Sequence, residues 1–186
     1  YYGENYDARL EKIGFDKPGY DDSAWHAPKM MSAPGGELKF QQMEPMRRIR
    51  SFEPAVKKLA NGSYLITNPE MATGWANIHF DAPAGTKITI TYGEQVHGDG
   101  NLVRLGNDAW FYRTIQQDQY TCKGGGEAYE PRFSYKGYKY IQVEGYTGEL
   151  TADDVTTYLI HNDIEKASFT SSSDLINRLH EMVVRT

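Results

Sequence analysis

Apolar and polar residues alternate along residues 74–92, and this period of two constrains the fold more than any other feature. The apolar members are Ala76, Ile78 and Phe80 in a first run, and Ile88, Ile90 and Tyr92 in a second. A Pro-Ala-Gly turn at residues 83–85 separates the two runs. Because successive side chains of a strand point to opposite faces, this pattern predicts two half-buried neighbouring strands.

Further strand patterns surround this pair, with turn residues between them. They fall at residues 46–53, 64–67, 110–122, 129–146 and 155–161. The Asn61-Gly62 dipeptide before Tyr64 is typical of a hairpin. No helical stretch separates the strands, so the sequence predicts a mainly β protein, an antiparallel β-sandwich, rather than βαβ units.

The last segment, SSSDLINRLHEMVVRT (171–186), is the one that the sequence predicts to be helical. Ser172 or Ser173 supplies an N-cap and Asp174 stands in the first turn. An apolar stripe follows at helical spacing, made of Leu175, Ile176, Leu179, Met182 and Val183. We expect this stripe to pack against a helical domain that follows the sandwich.

Three parts are predicted along the chain. Residues 1–34 hold too little apolar surface for a core of their own, and they suit the tail of a preceding β module with a linker. Residues 35–168 form the sandwich, and residues 169–186 form the single helix. The chain is thus interpreted as a piece of a longer polypeptide.

Composition excludes several classes of protein. The net charge is −5, and the basic residues cluster only at Arg47, Arg48 and Arg50, so no nucleic-acid footprint is present. The single cysteine, Cys122, excludes an internal disulfide. No apolar run approaches the roughly 18 residues of a membrane span.

Residues with catalytic or metal-binding chemistry are scattered. The acids on or between the predicted strands are interpreted as solvated surface or turn residues: Glu94, Asp99, Asp118, Glu127, Glu130 and Glu144. The five histidines show neither the His-x-His nor the His-x-x-x-His spacing of metal sites. The sequence therefore predicts no catalytic residue, no metal ligand and no cofactor within this chain.

Aromatic residues leave two alternatives open. Trp75, Trp110 and Tyr112 could present rings to the C–H face of a sugar, or they could belong to the core. The aromatic-rich stretch at residues 129–146 raises the same choice, and its alternation favours paired strands. That alternation would place Tyr138 and Tyr140 on one face of a strand, with Ile141 and Val143 on the other.

Four blocks of the sequence resemble one known family. They are GENYDARLEKIGFDKPGYDDSAW (3–25), GWANIHFDAPAGTKITITYGEQVHGDGNL (74–102), QQDQYTCKGGGEAYEPRFSYKGYKYIQVEGYTG (116–148) and HNDIEKASFTSSSDLINRLHE (161–181). Their order and spacing resemble bacterial α-L-rhamnosidases of glycoside hydrolase family 78. The most specific block is RFSYKGYKY, residues 132–140.

The resemblance implies a jelly-roll or concanavalin-like sandwich between an N-terminal module and an (α/α)6 catalytic barrel. It implies an inverting hydrolase of terminal α-L-rhamnose, with its acidic catalytic residues beyond this chain. The implied partner is the remainder of the same polypeptide, and the alternative is a module that binds rhamnose-containing carbohydrate. The resemblance implies a bacterial source and leaves the compartment open.

Overall fold

The computed structural model describes residues 3–103, 116–164 and 167–185. Its strands are β1 Asn5–Asp7, β2 Met46–Phe52, β3 Ala55–Lys58, β4 Tyr64–Phe80, β5 Lys87–Gly93, β6 Gln117–Thr121, β7 Glu127–Tyr129, β8 Lys136–Glu144 and β9 Val155–Asn162. One helix, α1, spans Asp174–Arg185. The described part of the chain is therefore mainly β with one C-terminal helix, as the sequence predicts.

All nine strands belong to one curled sheet. The order is β1-β6-β5-β8-β4-β9-β2, and β3 and β7 also pair with β4. In this order β8 and β5 lie between β4 and β6, yet the ring centroids of Phe80 in β4 and Tyr120 in β6 are 6.2 Å apart. The sheet must therefore curl back on itself, and its inner face encloses the core.

The sheet is mixed rather than wholly antiparallel. β1 runs parallel to β6, with Asn5 opposite Gln119 and Asp7 opposite Thr121. The other strand pairs are antiparallel. Sequence pattern could not reveal the parallel pair, because β1 has only three residues and its partner lies more than a hundred positions away.

The core confirms the alternation that the sequence shows. Ala76, Ile78 and Phe80 are buried in β4, whereas His79 between them is exposed. The same face of the curl buries Ile88, Ile90, Tyr92, Tyr120, Tyr138, Ile141, Val143 and Val155. At about 25 cal/mol per Å² of apolar area, this burial is the main stabilising contribution to the fold.

β4 is the strand that joins the two halves of the sheet. Its first part pairs with β3 and β8, and its last part pairs with β9 and β7. The register against β8 shifts between Thr67 and Ala72, so the strand bulges around Pro69. A bulge accommodates proline, which has no N–H for a sheet ladder.

Gly74 stands where β4 passes from β8 to β9. A Cβ atom at this position would lie 2.0 Å from the carbonyl oxygen of Tyr158 in β9. That distance is far inside van der Waals contact, so only glycine permits the two backbones to approach this closely. The neighbouring Trp75 is directly opposite Tyr158 in the ladder.

The arginines of β2 are paired with acids along the edge of the sheet. Arg47 lies 3.4 Å from Asp163, Arg48 pairs with Glu130, and Arg50 pairs with Glu70. These contacts neutralise the cluster that the sequence analysis singled out. The hairpin predicted at residues 61–62 is confirmed, since β3 and β4 pair on either side of it.

The helix begins where the sequence predicts. The carbonyl oxygen of Ser173 accepts the N–H of Asn177, which makes Ser173 the N-cap. The apolar side chains of α1 are exposed, among them Leu175 at 68% and Leu179 at 49%. Within the described residues, no helix is long and apolar enough to span a membrane.

Candidate functional site

Trp75 is the only sugar-binding candidate from the sequence that falls within the described residues; Trp110 and Tyr112 lie outside them. The Trp75 side chain is half-buried on the outer face of β4. Its indole N–H donates a 2.5 Å hydrogen bond to the carboxylate of Glu130. One edge of the ring is therefore held by the protein itself.

Glu130, which follows β7, is the centre of a polar network on this outer face. Its carboxylate also accepts from the guanidinium of Arg48 and from the amide of Asn77, the latter at 3.0 Å. The Arg48 guanidinium lies 4.6 Å above the ring of Tyr158. We call these five residues (Arg48, Trp75, Asn77, Glu130 and Tyr158) the Glu130 patch.

The Glu130 patch combines an aromatic surface with fixed charges. Arg48 keeps about half of its side chain exposed (52%), whereas Glu130 is largely covered (18%). A half-exposed guanidinium on an aromatic ring can contact a polar ligand or another protein surface. The Glu130 oxygens accept from three N–H donors, one each from Arg48, Trp75 and Asn77. These hydrogen bonds fix the positions of the three side chains on the outer face.

A second polar cluster lies inside the fold, where the RFSYKGYKY block meets β6. The ammonium of Lys136 lies 2.5 and 2.7 Å from the two carboxylate oxygens of Asp118. Their side chains are 3% and 0% exposed. Asp118 was expected to be a solvated acid, and that expectation is wrong, because its partner Lys136 is brought to it by the curled sheet.

Burial and pairing act in opposite directions on this pair. Desolvation raises the pKa of Asp118 and lowers the pKa of Lys136, while each partner opposes the shift of the other. The Lys136 ammonium also contacts the hydroxyl of Ser134 at 2.8 Å and lies 5.0 Å from the ring centroid of Tyr92. Perturbed pairs of this kind are candidates for catalysis when they line a cleft.

Two clefts of the described structure do not reach this pair. One, of about 390 Å³, is lined by Lys58, Tyr64 and residues 147–150. The other, of about 480 Å³, is lined by Tyr6, Trp25 and residues 11–16. The Asp118–Lys136 pair is therefore a structural ion pair, and its contacts serve the fold.

Glu127 is a second acid that the sequence analysis placed on the surface and the structure buries. Its carboxylate accepts from the hydroxyl of Tyr120 at 2.5 Å and from the N–H groups of Lys123 and Gly124. The acid therefore closes the turn between β6 and β7. Only the fold brings these donors to one carboxylate, so local sequence could not distinguish Glu127 from a solvated acid.

Gly137 and Tyr138 of the RFSYKGYKY block also hold strands together. The side-chain amide of Gln116 donates to the carbonyl of Gly137 and accepts from its N–H. Tyr138 is fully buried, and its hydroxyl donates to the carbonyl of Tyr158 at 3.1 Å. The expected separation of Tyr138 from Ile141 and Val143 is wrong, because all three belong to one buried cluster. The Tyr138 ring lies 5.5 Å from that of Tyr92, the residue opposite Ile141 in the ladder.

Metal chemistry has no visible site here. Across residues 3–103, 116–164 and 167–185, no three His, Cys, Asp or Glu side chains are grouped so that they could hold an ion. The described structure offers an aromatic and charged outer surface over an interior in which buried charges are paired. These features define the chain as a curled β-sandwich module.

Comparison with known proteins gives the family. Residues 57–161 match the model described as the bacterial α-L-rhamnosidase concanavalin-like domain, and residues 1–50 match the α-L-rhamnosidase N-terminal domain. The chain belongs to the bacterial α-L-rhamnosidase family, and it covers the N-terminal and concanavalin-like accessory region of such a protein. The resemblance carried by the RFSYKGYKY block and its neighbours is thereby confirmed.

Individual relatives agree with this assignment. An α-L-rhamnosidase of Formosa agariphila is 30% identical over 98% of this chain, and one of Streptomyces avermitilis is 28% identical over 97%. The chain spans about one fifth of the length of these relatives, 20% and 18% respectively. In them, the corresponding region is part of a much longer polypeptide.

Solved structures show the same fold. The α-L-rhamnosidase from Dictyoglumus thermophilum superposes with a TM-score of 0.86 at 32% identity, over all of this chain and 21% of its own. The Streptomyces avermitilis α-L-rhamnosidase, solved in complex with L-rhamnose, gives a TM-score of 0.82 at 28% identity, over 97% of this chain and 18% of its own. The curled sheet is thus shared with both enzymes.

Proposed function

We propose that this chain is the non-catalytic scaffold of an enzyme that hydrolyses terminal α-L-rhamnosyl residues of glycosides or polysaccharides. In this role the sandwich packs on a helical catalytic domain and orders the first helix of that domain. The domain boundaries that accompany the proposal are residues 1–34, 35–168 and 169–186.

The observation that carries the proposal is the exposed apolar face of α1. Leu175, Leu179 and Val183 are 68%, 49% and 64% exposed, although they recur at the spacing of a buried helical stripe. Each fully exposed large apolar side chain forgoes about 1.5–3 kcal/mol of burial. A contiguous face of this kind is typical of a surface that another domain covers.

Activity and amide exchange test the scaffold role. The chain by itself is expected to release no p-nitrophenol from p-nitrophenyl α-L-rhamnoside, and amides of α1 are expected to exchange rapidly. In the longer parent polypeptide, the same amides should be protected and the rhamnoside should be cleaved. Turnover by the chain alone, or equal exchange of α1 in both proteins, would contradict the proposal.

Carbohydrate binding is the second candidate, and the Glu130 patch favours it. Trp75 and Tyr158 stand side by side next to a half-exposed guanidinium, a combination suited to sugar C–H faces and hydroxyls. Trp110 and Tyr112 belong to the same hypothesis.

Fluorescence titration with L-rhamnose and rhamnogalacturonan oligosaccharides separates the two candidates. Binding at the patch should give a saturable change in tryptophan emission that Trp75→Phe removes and Trp25→Phe retains, and Trp110→Ala tests the other candidate ring separately. The absence of any emission change at millimolar sugar would reject carbohydrate binding and leave only the scaffold role.

A further inference from the structure

Strand β1 pairs with β6, a strand that lies more than a hundred positions away in the sequence. Residues 3–11, here called the strap, include β1, which lies along the outer edge of β6. The N–H of Gln119 donates to the carbonyl of Glu4 at 2.8 Å, and the ladder continues through Tyr6 opposite Tyr120. The strap thus adds a parallel strand to an edge that would otherwise be open.

The carboxylate of Glu4 is held by backbone donors. It accepts 2.5 Å hydrogen bonds from the N–H groups of Arg132 and Phe133, at the start of the RFSYKGYKY block. The N–H of Glu4 in turn donates to buried Asp118 at 2.8 Å. The Asp118–Lys136 pair therefore presents one carboxylate oxygen to the strap, which explains why a charged pair is kept inside the fold.

Steric fit is tightest at Gly3. A Cβ atom there would lie 1.9 Å from the carbonyl oxygen of Gln117 and 2.3 Å from the Asp118 carboxylate. Ala8, further along the strap, is 2% exposed. No Cβ atom fits at position 3 and the Ala8 side chain is buried, so the contact selects particular residues as well as an extended backbone.

Aromatic stacking completes the contact. The Tyr6 ring stacks on Tyr120 with centroids 5.9 Å apart and planes 12° apart, and it lies 6.2 Å from Tyr129. The Tyr6 hydroxyl donates to Glu11, whose carboxylate also accepts from the ammonium of Lys123. Stacked and tilted aromatic pairs contribute about 0.5–1.5 kcal/mol each beyond their burial.

The segment between the strap and β2 is irregular and exposed. Residues 12–45 contain no helix or strand, and nearly all of them are exposed. Met30, Leu38 and Phe40 are 90%, 103% and 98% exposed. This connection therefore contributes little to the position of the strap, which is held by its own contacts with β6 and the RFSYKGYKY block.

We propose that the sandwich carries a docking groove for an extended Gly-Glu-x-Tyr-x-Ala segment, formed by the β6 edge, Asp118 and the Arg132–Phe133 backbone. Its occupant is the strap of the same chain. This binding ties the N-terminal module to the sandwich without help from residues 12–45, and it sets the orientation between the two. The proposal is independent of rhamnosidase activity.

Cleavage of the intact chain tests the groove. A site for a specific protease replaces the exposed residues 29–36, the folded protein is cut, and native mass spectrometry follows the two pieces. We expect the N-terminal piece to remain bound after the cut and to dissociate slowly under native conditions. An excess of a peptide of residues 3–11 should accelerate the exchange, whereas a scrambled peptide should not.

Two variants and one control identify the contacts. Glu4→Gln and Gly3→Val should each release the N-terminal piece at least tenfold faster after cleavage, since the first weakens the anion contact and the second clashes with Gln117. Glu37→Gln, in the exposed segment, should behave like the parent. Circular dichroism before cleavage confirms that each variant is folded.

Immediate separation of the cut parent would overturn the proposal, as would release rates for Glu4→Gln equal to those of Glu37→Gln. If Gly3→Val fails to fold, Glu4→Gln still decides, because that change keeps the size of the side chain.

Discussion

Lys136 in β8 and Asp118 in β6 form a buried ion pair at 2.5 Å, although β5 lies between their strands in the sheet. The pair joins the RFSYKGYKY block to the edge on which the strap lies. A charged pair in a core is costly to desolvate, and replacing only one of the two partners leaves a buried charge without compensation.

Lys136→Met should lower the free energy of unfolding by about 3–5 kcal/mol, because Asp118 would remain buried without its partner. The double variant Lys136→Met/Asp118→Asn should recover most of this loss. Urea unfolding followed by tryptophan fluorescence measures both. Lys139→Met serves as control, since Lys139 is half-exposed and contacts only the Pro69 carbonyl, at 2.6 Å, among the hydrogen bonds described for it. Equal losses in the single and double variants would contradict the expectation.

Gly74→Ala should destabilise the protein by about 1–3 kcal/mol or more, as overpacking does, because the new methyl group meets the Tyr158 carbonyl at 2.0 Å. Gly126→Ala is the matched control, since a Cβ at Gly126 has no neighbour within 4 Å in the described structure. Thermal unfolding of the two variants compares them directly. A Tm for Gly74→Ala equal to that of the control would show that β4 and β9 separate at little cost.

Two buried tyrosines should respond oppositely to loss of their hydroxyl. Tyr138→Phe removes a 3.1 Å hydrogen bond to the Tyr158 carbonyl, and we expect a loss of about 0.5–1.5 kcal/mol. The hydroxyl of Tyr129 is buried and has no hydrogen-bond partner among the described residues, so Tyr129→Phe should be neutral or stabilising. Chemical denaturation of both variants under one condition is the measurement. A larger loss of stability for Tyr129→Phe than for Tyr138→Phe would contradict both expectations.

Cys122 should be inert to thiol reagents in the folded protein. Burial raises the pKa of its thiol to about 11, and the nearby Glu127 carboxylate adds to the shift. The reactive thiolate therefore forms only as the pH rises toward that value, well above neutrality. Reaction with 5,5′-dithiobis(2-nitrobenzoate) at pH 8 should be negligible in buffer and complete in guanidinium chloride. Rapid labelling in buffer would show that the β6 end opens readily.

The apolar face of α1 should make the chain self-associate. Replacing Leu175 and Leu179 by glutamine should reduce the apparent mass at high concentration while leaving the Tm of the sandwich unchanged, because both side chains are largely exposed. Analytical ultracentrifugation is the measurement, with Glu181→Gln on the same helix as control. A monomeric parent at every concentration would remove the basis for this expectation.

Much of the fold could be predicted from local pattern. The alternation at residues 75–80 and 88–92 marked two core strands, Asn61-Gly62 marked the hairpin, and Ser173 marked the start of α1. These signals depend on neighbours a few positions apart, so they can be read without knowledge of the fold. The family resemblance rested on the same stretches and was confirmed for nearly the whole chain.

The interior polar contacts could not be predicted in this way. Asp118 and Glu127 looked like solvated acids, yet both are buried, because their partners come from other strands or from a turn that only the fold closes. Trp75 was a candidate ring for a sugar, and the structure placed its N–H on Glu130, 55 positions away.

The sequence by itself determined the strand-forming segments, the helix and the family, since each is encoded in short-range pattern and motif. Only the tertiary structure decided which strands are neighbours, that β1 docks in parallel on β6, and that Lys136 meets Asp118. The physical reason is that a side chain's burial and charge partner depend on residues far away in the chain. Those residues become neighbours only when the hydrophobic core curls the sheet.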